Sequence, residues 1–291
     1  MTIVTVCRNA AGVLGRALSS VESQMGSDGS PFLDYEHLII DGASTDGTVA
    51  IARAYAARQN KRGVTVTVIS EPDEGIYDAM NKGLALARGE YIAFLNADDR
   101  YDVGALGLVE KLARSTAADC IGGACEIVEP GTGGSGGRDG CGTFEGSSES
   151  DRFDVAHPAM RVVRRRPVMP EMLDKKYPQE MPAAHQSLFV RTKLMRELRG
   201  FRPQFCVAAD YDLCLGLLGR CGSEGERKPH WAFTDEVLSY FTLGGESYHP
   251  TRTARDYRDV RLANGWPYLM TQLLYLRNAC ASRAARLLKR S

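Results

Sequence analysis

Hydrophobic and polar positions fall into blocks along the first hundred residues, and the blocks follow two different periods. Short β-branched or apolar runs at residues 3–6, 37–41, 64–69 and 91–95 are typical of buried strands. Between these runs, apolar positions recur every three or four residues, as in a helix that lies with one face against a sheet. Strands and helices that alternate in this way predict an α/β fold with a mostly parallel central sheet and helices on both faces.

Three polar or small residues mark where the predicted helices begin and end. We expect Asn9 to cap the first helix, Asp46 to open the second, and Gly89 to end the third. Asn and Asp are favoured at helix starts because they accept a free backbone N–H, and Gly is favoured at helix ends because it tolerates the backbone turn.

The second half of the chain has a weaker pattern. After Val128 the alternation breaks, and the eight glycines of the segment 131–146 predict a flexible surface excursion or a hairpin tip. Polar, proline-punctuated sequence follows, and then a strand at residues 187–190 and a helix that closes at Gly200 resume the fold. From Arg252 onward the sequence is helical and basic, which predicts a C-terminal helical extension.

Polar side chains follow the end of every predicted strand of the first half. They are Arg8 and Asn9, Asp41 and Gly42, Glu71, and the group Asn96, Asp98 and Asp99. In open parallel sheets, ligands bind beyond the carboxyl ends of the strands. The sequence therefore predicts a binding cleft at this edge of the sheet.

Composition restricts the function classes. The chain has 291 residues, with 36 basic and 36 acidic side chains, so nothing indicates a nucleic-acid partner. None of its eight cysteines have CxxC spacing, which favours reduced thiols in a cytosolic compartment. The N-terminus does not resemble a signal peptide, and no apolar run approaches the roughly 20 residues of a membrane span. We expect a cytoplasmic enzyme or binding protein.

Two acidic clusters are candidates for chemistry. The turn Asn96-Ala97-Asp98-Asp99 is either part of a Mg²⁺ site or a solvated turn, and these four residues alone do not decide between them. The segment 41–48 offers two carboxylates and three hydroxyls to a ribose or a base edge, and it also contains helix-capping residues. Lys82 and Arg8 are candidate phosphate contacts, although for either residue alone a solvated surface charge is the more common role.

Four ordered motifs resemble family 2 glycosyltransferases of the GT-A fold. They are TIVTVCRNA, IIDGASTDGT, EPDEGIYDAMNKGLALARGEYI and FLNADD, and the resemblance they carry covers roughly residues 1–125. Weaker similarity continues through 185–191, 205–217 and 241–247, in the manner of the branch that builds bacterial surface polysaccharides. The resemblance implies a single GT-A-like domain. Residues 1–125 would bind the nucleotide-sugar, 126–250 the acceptor, and 251–291 a membrane surface or another subunit.

The resemblance also implies roles for the strand-end residues. It assigns the uridine of a nucleotide-sugar to the first strand with its loop and to the end of the second: Thr5, Cys7, Arg8, Asn9 and Asp41. Glu71 and Asp73 would lie near the base and the ribose. The Asp-x-Asp element of the family corresponds to Asn96-Ala97-Asp98, so Asp98 would bind Mg²⁺ or Mn²⁺ at the diphosphate, with Asp99 behind it. The neutral Asn96 weakens the case for tight metal binding and is interpreted as a ribose-side contact.

On the acceptor side, the resemblance assigns the general base to Asp210, with Ala209 where the family has Glu. Asp212 is the second choice, and helix capping is the alternative role for Asp210. His185 and Gln186 are predicted to line the acceptor or diphosphate side, with a mobile loop formed by Gly244, Gly245, Glu246 and Ser247. His157 and His249 are weaker candidates, either structural or in contact with substrate.

The basic residues of the second half allow two interpretations. The run Arg161, Arg164, Arg165 and Arg166 is either a solvated face or a contact to an anionic membrane. The C-terminal helix either lies in a membrane interface, packs on the core, or pairs with a second subunit in a homo-oligomer.

These features predict an inverting glycosyltransferase of cell-surface polysaccharide synthesis. It would move a sugar from a UDP-sugar to a saccharide or polyprenyl-diphosphate-linked acceptor, in the cytoplasm or on the inner face of the plasma membrane. The alternatives are a catalytically silent nucleotide-sugar-binding protein and a sugar nucleotidyltransferase. A dinucleotide-binding enzyme needs GxGxxG after the first strand, where this chain has CRNAAG.

Overall fold

The computed structural model describes residues 1–130, 160–219, 228–244 and 250–288. The strands are β1 (Thr2–Cys7), β2 (Glu36–Asp41), β3 (Thr65–Ser70), β4 (Tyr91–Asn96), β5 (Arg100–Tyr101), β6 (Cys120–Pro130), β7 (Met160–Arg166), β8 (Leu188–Arg191) and β9 (Trp231–Thr242). The helices are α1 (Leu14–Glu22), α2 (Thr48–Lys61), α3 (Ile76–Leu86), α4 (Ala105–Thr116), α5 (Thr192–Glu197), α6 (Ala209–Leu217), α7 (Pro250–Ala263) and α8 (Tyr268–Leu288). Two short 3₁₀ turns lie at Pro170–Met172 and His185–Ser187.

All described strands belong to one sheet, in the order β3-β2-β1-β4-β8-β6-β9-β5, with β7 paired to β6. The first four strands are mutually parallel, so their carboxyl ends lie along one edge, as the sequence predicts. The other half of the sheet is mixed, because β8 runs antiparallel to both β4 and β6, while β6 and β9 are parallel. The α/β fold class is confirmed.

Helices cover both faces of this sheet, which follows from the alternation of side chains along a strand. Ile3 of β1 packs in a core cluster with Leu14 of α1, while the next residue, Val4, packs in a second cluster with Met80 of α3. Gly83 allows α3 to lie close to β1, since a Cβ there would be 2.4 Å from Val4 Cγ1.

The predicted helix signals have mixed outcomes. Asp46 does open α2, since its Oδ1 accepts the backbone N–H of Thr48 at 3.0 Å. Asn9 does not cap α1, which begins at Leu14; Asn9 instead has a φ of 48° and bonds to the loop after β2. Gly89 is not the helix end either, because α3 stops at Leu86. At Gly89 a side chain would collide with the backbone of the first two residues of the chain, at 2.5 Å.

The second half contains one strand that the sequence pattern does not indicate. Among the described strands, the Arg-rich β7 pairs only with β6, and most of its side chains are exposed. Its sequence therefore lacks the alternation of apolar and polar residues that is typical of a half-buried strand. The glycine-rich segment predicted as an excursion or a hairpin tip lies within 131–159, outside the described residues. The C-terminal region is helical, as predicted. None of the helices in the described ranges is both long and apolar enough to cross a lipid bilayer.

Candidate active site

Asp41, at the end of β2, fastens three strand-end loops together. The carboxylate is buried and accepts hydrogen bonds from Ser44 N at 2.9 Å, from the Ser44 hydroxyl, and from Ser70 Oγ at 2.7 Å. Cys7 Sγ approaches its Oδ1 at 3.7 Å. Because a carboxylate has about four acceptor positions, these contacts satisfy it within the protein. Asp41 therefore holds together the ends of β1 and β3 and the loop after β2.

The loops after β1 and β2 are joined by further hydrogen bonds that run in both directions. Asn9 N donates to Ser44 Oγ at 2.7 Å, and Thr45 N donates to Asn9 Oδ1 at 2.9 Å. Gly42 lies where these loops meet the loop after β3, since a Cβ there would be 2.2 Å from Asp73 Oδ2 and 3.3 Å from Arg8 Cδ. Arg8 and Asp73 are thus neighbours at the ends of the strands.

Three of the predicted donor-side residues are engaged elsewhere. Thr5 is buried inside the sheet, where its Oγ1 lies 2.9 Å from His37 Nε2, so the structure does not bring its side chain to the cleft. Lys82 pairs with Glu71 at 3.0 Å, and its charge is satisfied on the surface of α3. Burial, reinforced by the Asp41 carboxylate, raises the pKa of Cys7 to about 12, so this thiol stays protonated.

The turn after β4 is built around the buried carboxylate of Asp99. Its Oδ1 accepts Thr242 N at 3.0 Å, and its Oδ2 accepts Gln186 Nε2 at 3.0 Å and Asn96 Nδ2 at 3.1 Å. Burial and the neighbouring Asp98 raise the pKa of Asp99 to about 7. Sequence-distant residues of β9 and of the His185–Ser187 turn are therefore fixed to the FLNADD motif. Ala97 is buried between the polar residues.

This turn fits a divalent cation, although the described residues contain no group of three or more His, Cys, Asp or Glu side chains arranged as a metal site. Asp98 is half-buried, and burial raises its pKa. Asn96 Oδ1 is a buried oxygen without a hydrogen-bond partner, since the amide nitrogen of this side chain donates to Asp99. Mg²⁺ is commonly held by one or two protein oxygens together with substrate phosphates. One carboxylate and one unpartnered amide oxygen match that pattern.

Asp210, the predicted base, lies at the N-terminal end of α6 and faces His185. His185 Nδ1 is 3.3 Å from Asp210 Oδ2, while Oδ1 accepts Tyr211 N at 2.8 Å and the Tyr77 hydroxyl at 3.3 Å. Burial acts to raise the pKa of Asp210, but the hydrogen bond and charge of His185 outweigh it and hold the pKa below its usual value. Asp210 is not the N-cap of α6, which is Ala208. The other ring nitrogen of His185, Nε2, is buried without a partner.

Asp212, the second choice for the base, is not among the residues that line the cleft with Asp210. Its side chain is buried on the other side of α6, where its Oδ2 accepts Arg202 Nε at 2.6 Å and its Oδ1 accepts Asn264 Nδ2 at 2.8 Å. The ion pair ties α6 to the segment before it, and the Asn264 hydrogen bond ties α6 to the end of α7. Gly244 has a φ of 108° and ends the described stretch of β9 and its turn. The remaining loop candidates Gly245, Glu246, Ser247 and His249, and also His157, lie outside the described residues.

A cleft of about 600 Å³ joins Asn96, His185, Gln186 and Asp210 in one space. Its far wall comes from β7, α7 and α8, which contribute Arg166, Thr253, Tyr257, Arg261, Arg277 and Asn278. The sequence does not indicate this wall, because the basic run is typical of a solvated or membrane-facing surface, and packing on the core is only one of three interpretations of the C-terminal helix. The interleaved aromatic and basic residues of 257–277 are the signal that could have found it, but their pattern is also that of a membrane-facing helix.

Comparison with known proteins identifies relatives over most of this architecture. A sequence profile described as "Glycosyl transferase family 2" matches residues 2–169. A "PGL/p-HBAD biosynthesis glycosyltransferase" of Mycobacterium bovis is 37% identical over 98 residues, which are 34% of this chain and 35% of the relative. The "Glycosyltransferase AglE" of Haloferax volcanii is 28% identical over 130 residues, 45% of this chain and 40% of the relative. The match thus extends over little more than a third of the mycobacterial relative.

Solved structures share the fold over nearly the whole chain. The mannosyltransferase PcManGT of Pyrobaculum calidifontis, in complex with GDP-Man and Mn²⁺, superimposes with a TM-score of 0.58 at 18% identity, covering 99% of this chain and 74% of its own. TarS 1–349 of S. aureus, in complex with UDP-GlcNAc, gives 0.54 at 16% identity, covering 96% of this chain and 71% of its own.

Proposed function

Because the chain belongs to glycosyl transferase family 2, we propose that it is an inverting transferase that uses a UDP-sugar, with Asp210 as the general base. The observation that carries the proposal is the single cleft lined by Asp210, His185 and Asn96, the first residue of the Asn96–Asp99 turn. Solved relatives of the fold have been captured with UDP-GlcNAc or with GDP-Man, which supports a nucleotide-sugar donor. Of these two kinds of donor we propose the UDP-sugar, because the strand-end motifs resemble those that hold uridine in family 2 glycosyltransferases.

Asp210 supplies the proton acceptor that the reaction needs. An acceptor hydroxyl attacks the anomeric carbon in line with the leaving group; its C–O bond forms as the bond to the diphosphate oxygen breaks. The hydroxyl proton passes to Asp210, and the nucleoside diphosphate leaves with the electron pair. A lowered pKa keeps Asp210 ionised and ready to accept at neutral pH.

His185 orients this base. Its Nδ1, 3.3 Å from Asp210 Oδ2, fixes one carboxylate oxygen, while Tyr77 and the backbone of Tyr211 fix the other. A base held from both sides loses little freedom in reaching the reactive geometry.

The donor would lie across the loops after β1 to β4. Arg8, Asn9 and Asp73 form the nucleotide wall, and Asn96 and Asp98 face the diphosphate. A Mg²⁺ or Mn²⁺ ion held by Asp98 and the Asn96 oxygen would supply charge neutralisation of the leaving diphosphate. Gln186 and Asp99 keep this turn in place.

Peripheral membrane contact would give a lipid-linked acceptor access to the cleft. Tyr268, Leu269, Leu273 and Leu276 of α8 are 56% to 72% exposed, whereas Thr271 and Leu274 of the same helix are buried. The sequence from 264 to 291 has no acidic residue and five basic ones. This combination is typical of a helix that lies on an anionic bilayer.

Replacement of Asp210 by Asn tests the function directly. Asn keeps the size and accepts the Tyr211 N–H, so we expect UDP binding with Mn²⁺ to stay within about twofold and transfer to fall by about 10²-fold or more. Turnover of a panel of UDP-sugars with polysaccharide fragments and polyprenyl-diphosphate sugars provides the measurement. Unchanged transfer would refute Asp210 as the base. Donor binding without turnover in the wild type would favour the silent binding protein.

A further inference from the structure

We propose that the far wall of the cleft holds a phosphate or diphosphate group of the acceptor, bound by Arg166, Arg261 and Arg277. The proposal rests on the proposed function, since it names the chemistry of the molecule that Asp210 deprotonates. Three guanidinium groups from three different elements, β7, α7 and α8, line one space. The only acidic side chains among the described residues lining the same space are Glu180 and Asp210.

Arg261 is the central observation. It is 2% exposed and lies over the rings of Tyr211, Tyr257 and Trp266, with its Cζ 5.2 to 5.6 Å from each ring centroid. Its Nε donates to the Tyr211 hydroxyl at 3.4 Å, and within the described ranges no carboxylate lies within ion-pairing distance of this residue. A buried charge is normally paired, because its removal from water is costly. An anionic ligand would provide the missing counter-charge.

Arg166 and Arg277 complete the site from two sides. Arg166 lines the cleft together with Asp210 and Tyr257, and the pairing of β7 with β6 places it opposite Cys125, which lines the same cleft. Arg277 Nη2 donates to Gln179 Oε1 at 3.3 Å and so projects over the same wall. The planar fork of a guanidinium matches phosphate oxygens better than an ammonium does.

The position of these arginines favours the acceptor over the donor. In an inverting transfer the acceptor approaches the anomeric carbon from the side opposite the departing diphosphate, so the base marks the acceptor side. The three arginines line one cleft with the base, and Arg261 bonds to Tyr211, the residue after the base. Asp98 and Asn96, which suit the donor diphosphate, belong to the turn after β4. The two anions would therefore occupy opposite ends of one cleft.

The test is calorimetric titration of the full chain, in EDTA, with geranyl diphosphate, geraniol and inorganic diphosphate. We expect geranyl diphosphate to bind at least about tenfold more tightly than geraniol, and Arg166→Gln and Arg277→Gln each to weaken it about tenfold. Arg164→Gln, an exposed arginine of the same strand, removes the same charge and should change affinity less than about twofold. Arg261→Lys keeps the charge and loses the fork, so an intermediate loss is expected.

The other possible results of these titrations either overturn or support the proposed anion site. Equal binding of geranyl diphosphate and geraniol, no binding of either, or an equal loss in Arg164→Gln would overturn the proposal. Displacement of geranyl diphosphate by saturating UDP with Mg²⁺ would also overturn it, because the anion would then occupy the donor site. Equal affinity for inorganic diphosphate supports the anion site and identifies free phosphate as a sufficient source. Anion binding that persists without any UDP-sugar binding or turnover supports the site while contradicting the proposed function.

Discussion

His37 is a fully buried histidine of β2 whose ring nitrogens bond to neutral groups. Nε2 lies 2.9 Å from Thr5 Oγ1, and Nδ1 lies 3.0 Å from the Tyr55 hydroxyl. Burial lowers the pKa of His37 to about 3, since an imidazolium there would have neither water nor a carboxylate. The folded protein therefore keeps His37 neutral at a pH at which the unfolded chain protonates it.

This residue predicts an acid-sensitive stability. Between the unfolded pKa of about 6.5 and the folded value of about 3, the unfolded state binds the extra proton. The free energy of unfolding should accordingly fall as the pH drops below about 6.5, by up to ~5 kcal/mol at the low end. Urea unfolding at pH 7.5 and pH 5 measures the loss. In His37→Gln, which keeps hydrogen-bonding capacity but does not titrate, this part of the pH dependence should disappear; an unchanged slope would mean that other groups cause it.

At the same scale, Asp98 should carry the metal dependence of donor binding. Replacement by Asn removes the charge at constant size, so Mn²⁺ should no longer strengthen UDP binding, a loss of about tenfold to a hundredfold. Titration with UDP in Mn²⁺ and in EDTA provides the comparison. Asp102→Asn is the matched control, because Asp102 lies four residues further on and caps the N–H of Val103. Metal enhancement that survives in Asp98→Asn would assign the ion to other ligands.

Single side chains show where prediction from sequence succeeds and where it stops. The motif predicts Asp210, and the structure places it in the cleft beside His185. Asp212, two residues on, has the same chemistry but a buried ion pair with Arg202. Thr5 sits in a matching motif but points into the sheet toward His37. Residue type and spacing do not encode such partners, because the partners come from other segments.

At the scale of elements, the packing of α3 on β1 depends on the glycine at their contact. A Cβ at Gly83 would be 2.4 Å from Val4 Cγ1, so Gly83→Ala should force the helix and strand apart and cost about 1–3 kcal/mol. Gly15 of α1 has no atom within 4 Å of such a Cβ, and Gly15→Ala should stabilise by about 0.5–1 kcal/mol. Thermal and urea unfolding of the pair measures the contrast. If the two changes had equal effects on the free energy of unfolding, helix propensity and not the contact between Gly83 and Val4 would determine them.

The first four strands and three helices could be predicted because their signals are local. Each strand is a short apolar run, each helix repeats its own period, and parallel order follows from the alternation. The wall formed by β7, α7 and α8 could not be predicted from the sequence, because it depends on contacts between segments that are far apart along the chain. Arg164 to Arg166 resemble a solvated charge run until β6 is known to place Arg166 opposite Cys125, at the cleft.

At the scale of the molecule, the C-terminal helices α7 and α8 both line the cleft and present an exposed face. The sequence pattern offers these two roles only as alternatives. The sequence predicts residues 251–291 as an extension of the domain, yet Trp266 and Val260 are buried and Tyr257 lines the cleft. The inner side of α7 and α8 thus lines one wall of the cleft, while the outer side of α8 presents leucines. A single helical layer would then position the acceptor and meet the surface that carries it.

That arrangement predicts binding to anionic vesicles through the outer face of α8. The triple change of Leu269, Leu273 and Leu276 to Ser should reduce co-sedimentation with phosphatidylglycerol vesicles by about tenfold or more, since each exposed leucine would contribute roughly 1 kcal/mol or more on burial in lipid. Vesicles of phosphatidylcholine alone should bind less of the wild type, because the basic residues of 264–291 then have no anionic partner. Leu33→Ser with Leu86→Ser, two exposed leucines elsewhere, is the control and should leave sedimentation unchanged. A different outcome would be that the wild type binds neither kind of vesicle and forms a dimer in light scattering, which the triple change dissociates. The exposed leucines of α8 would then contact a second copy of the chain and not a membrane.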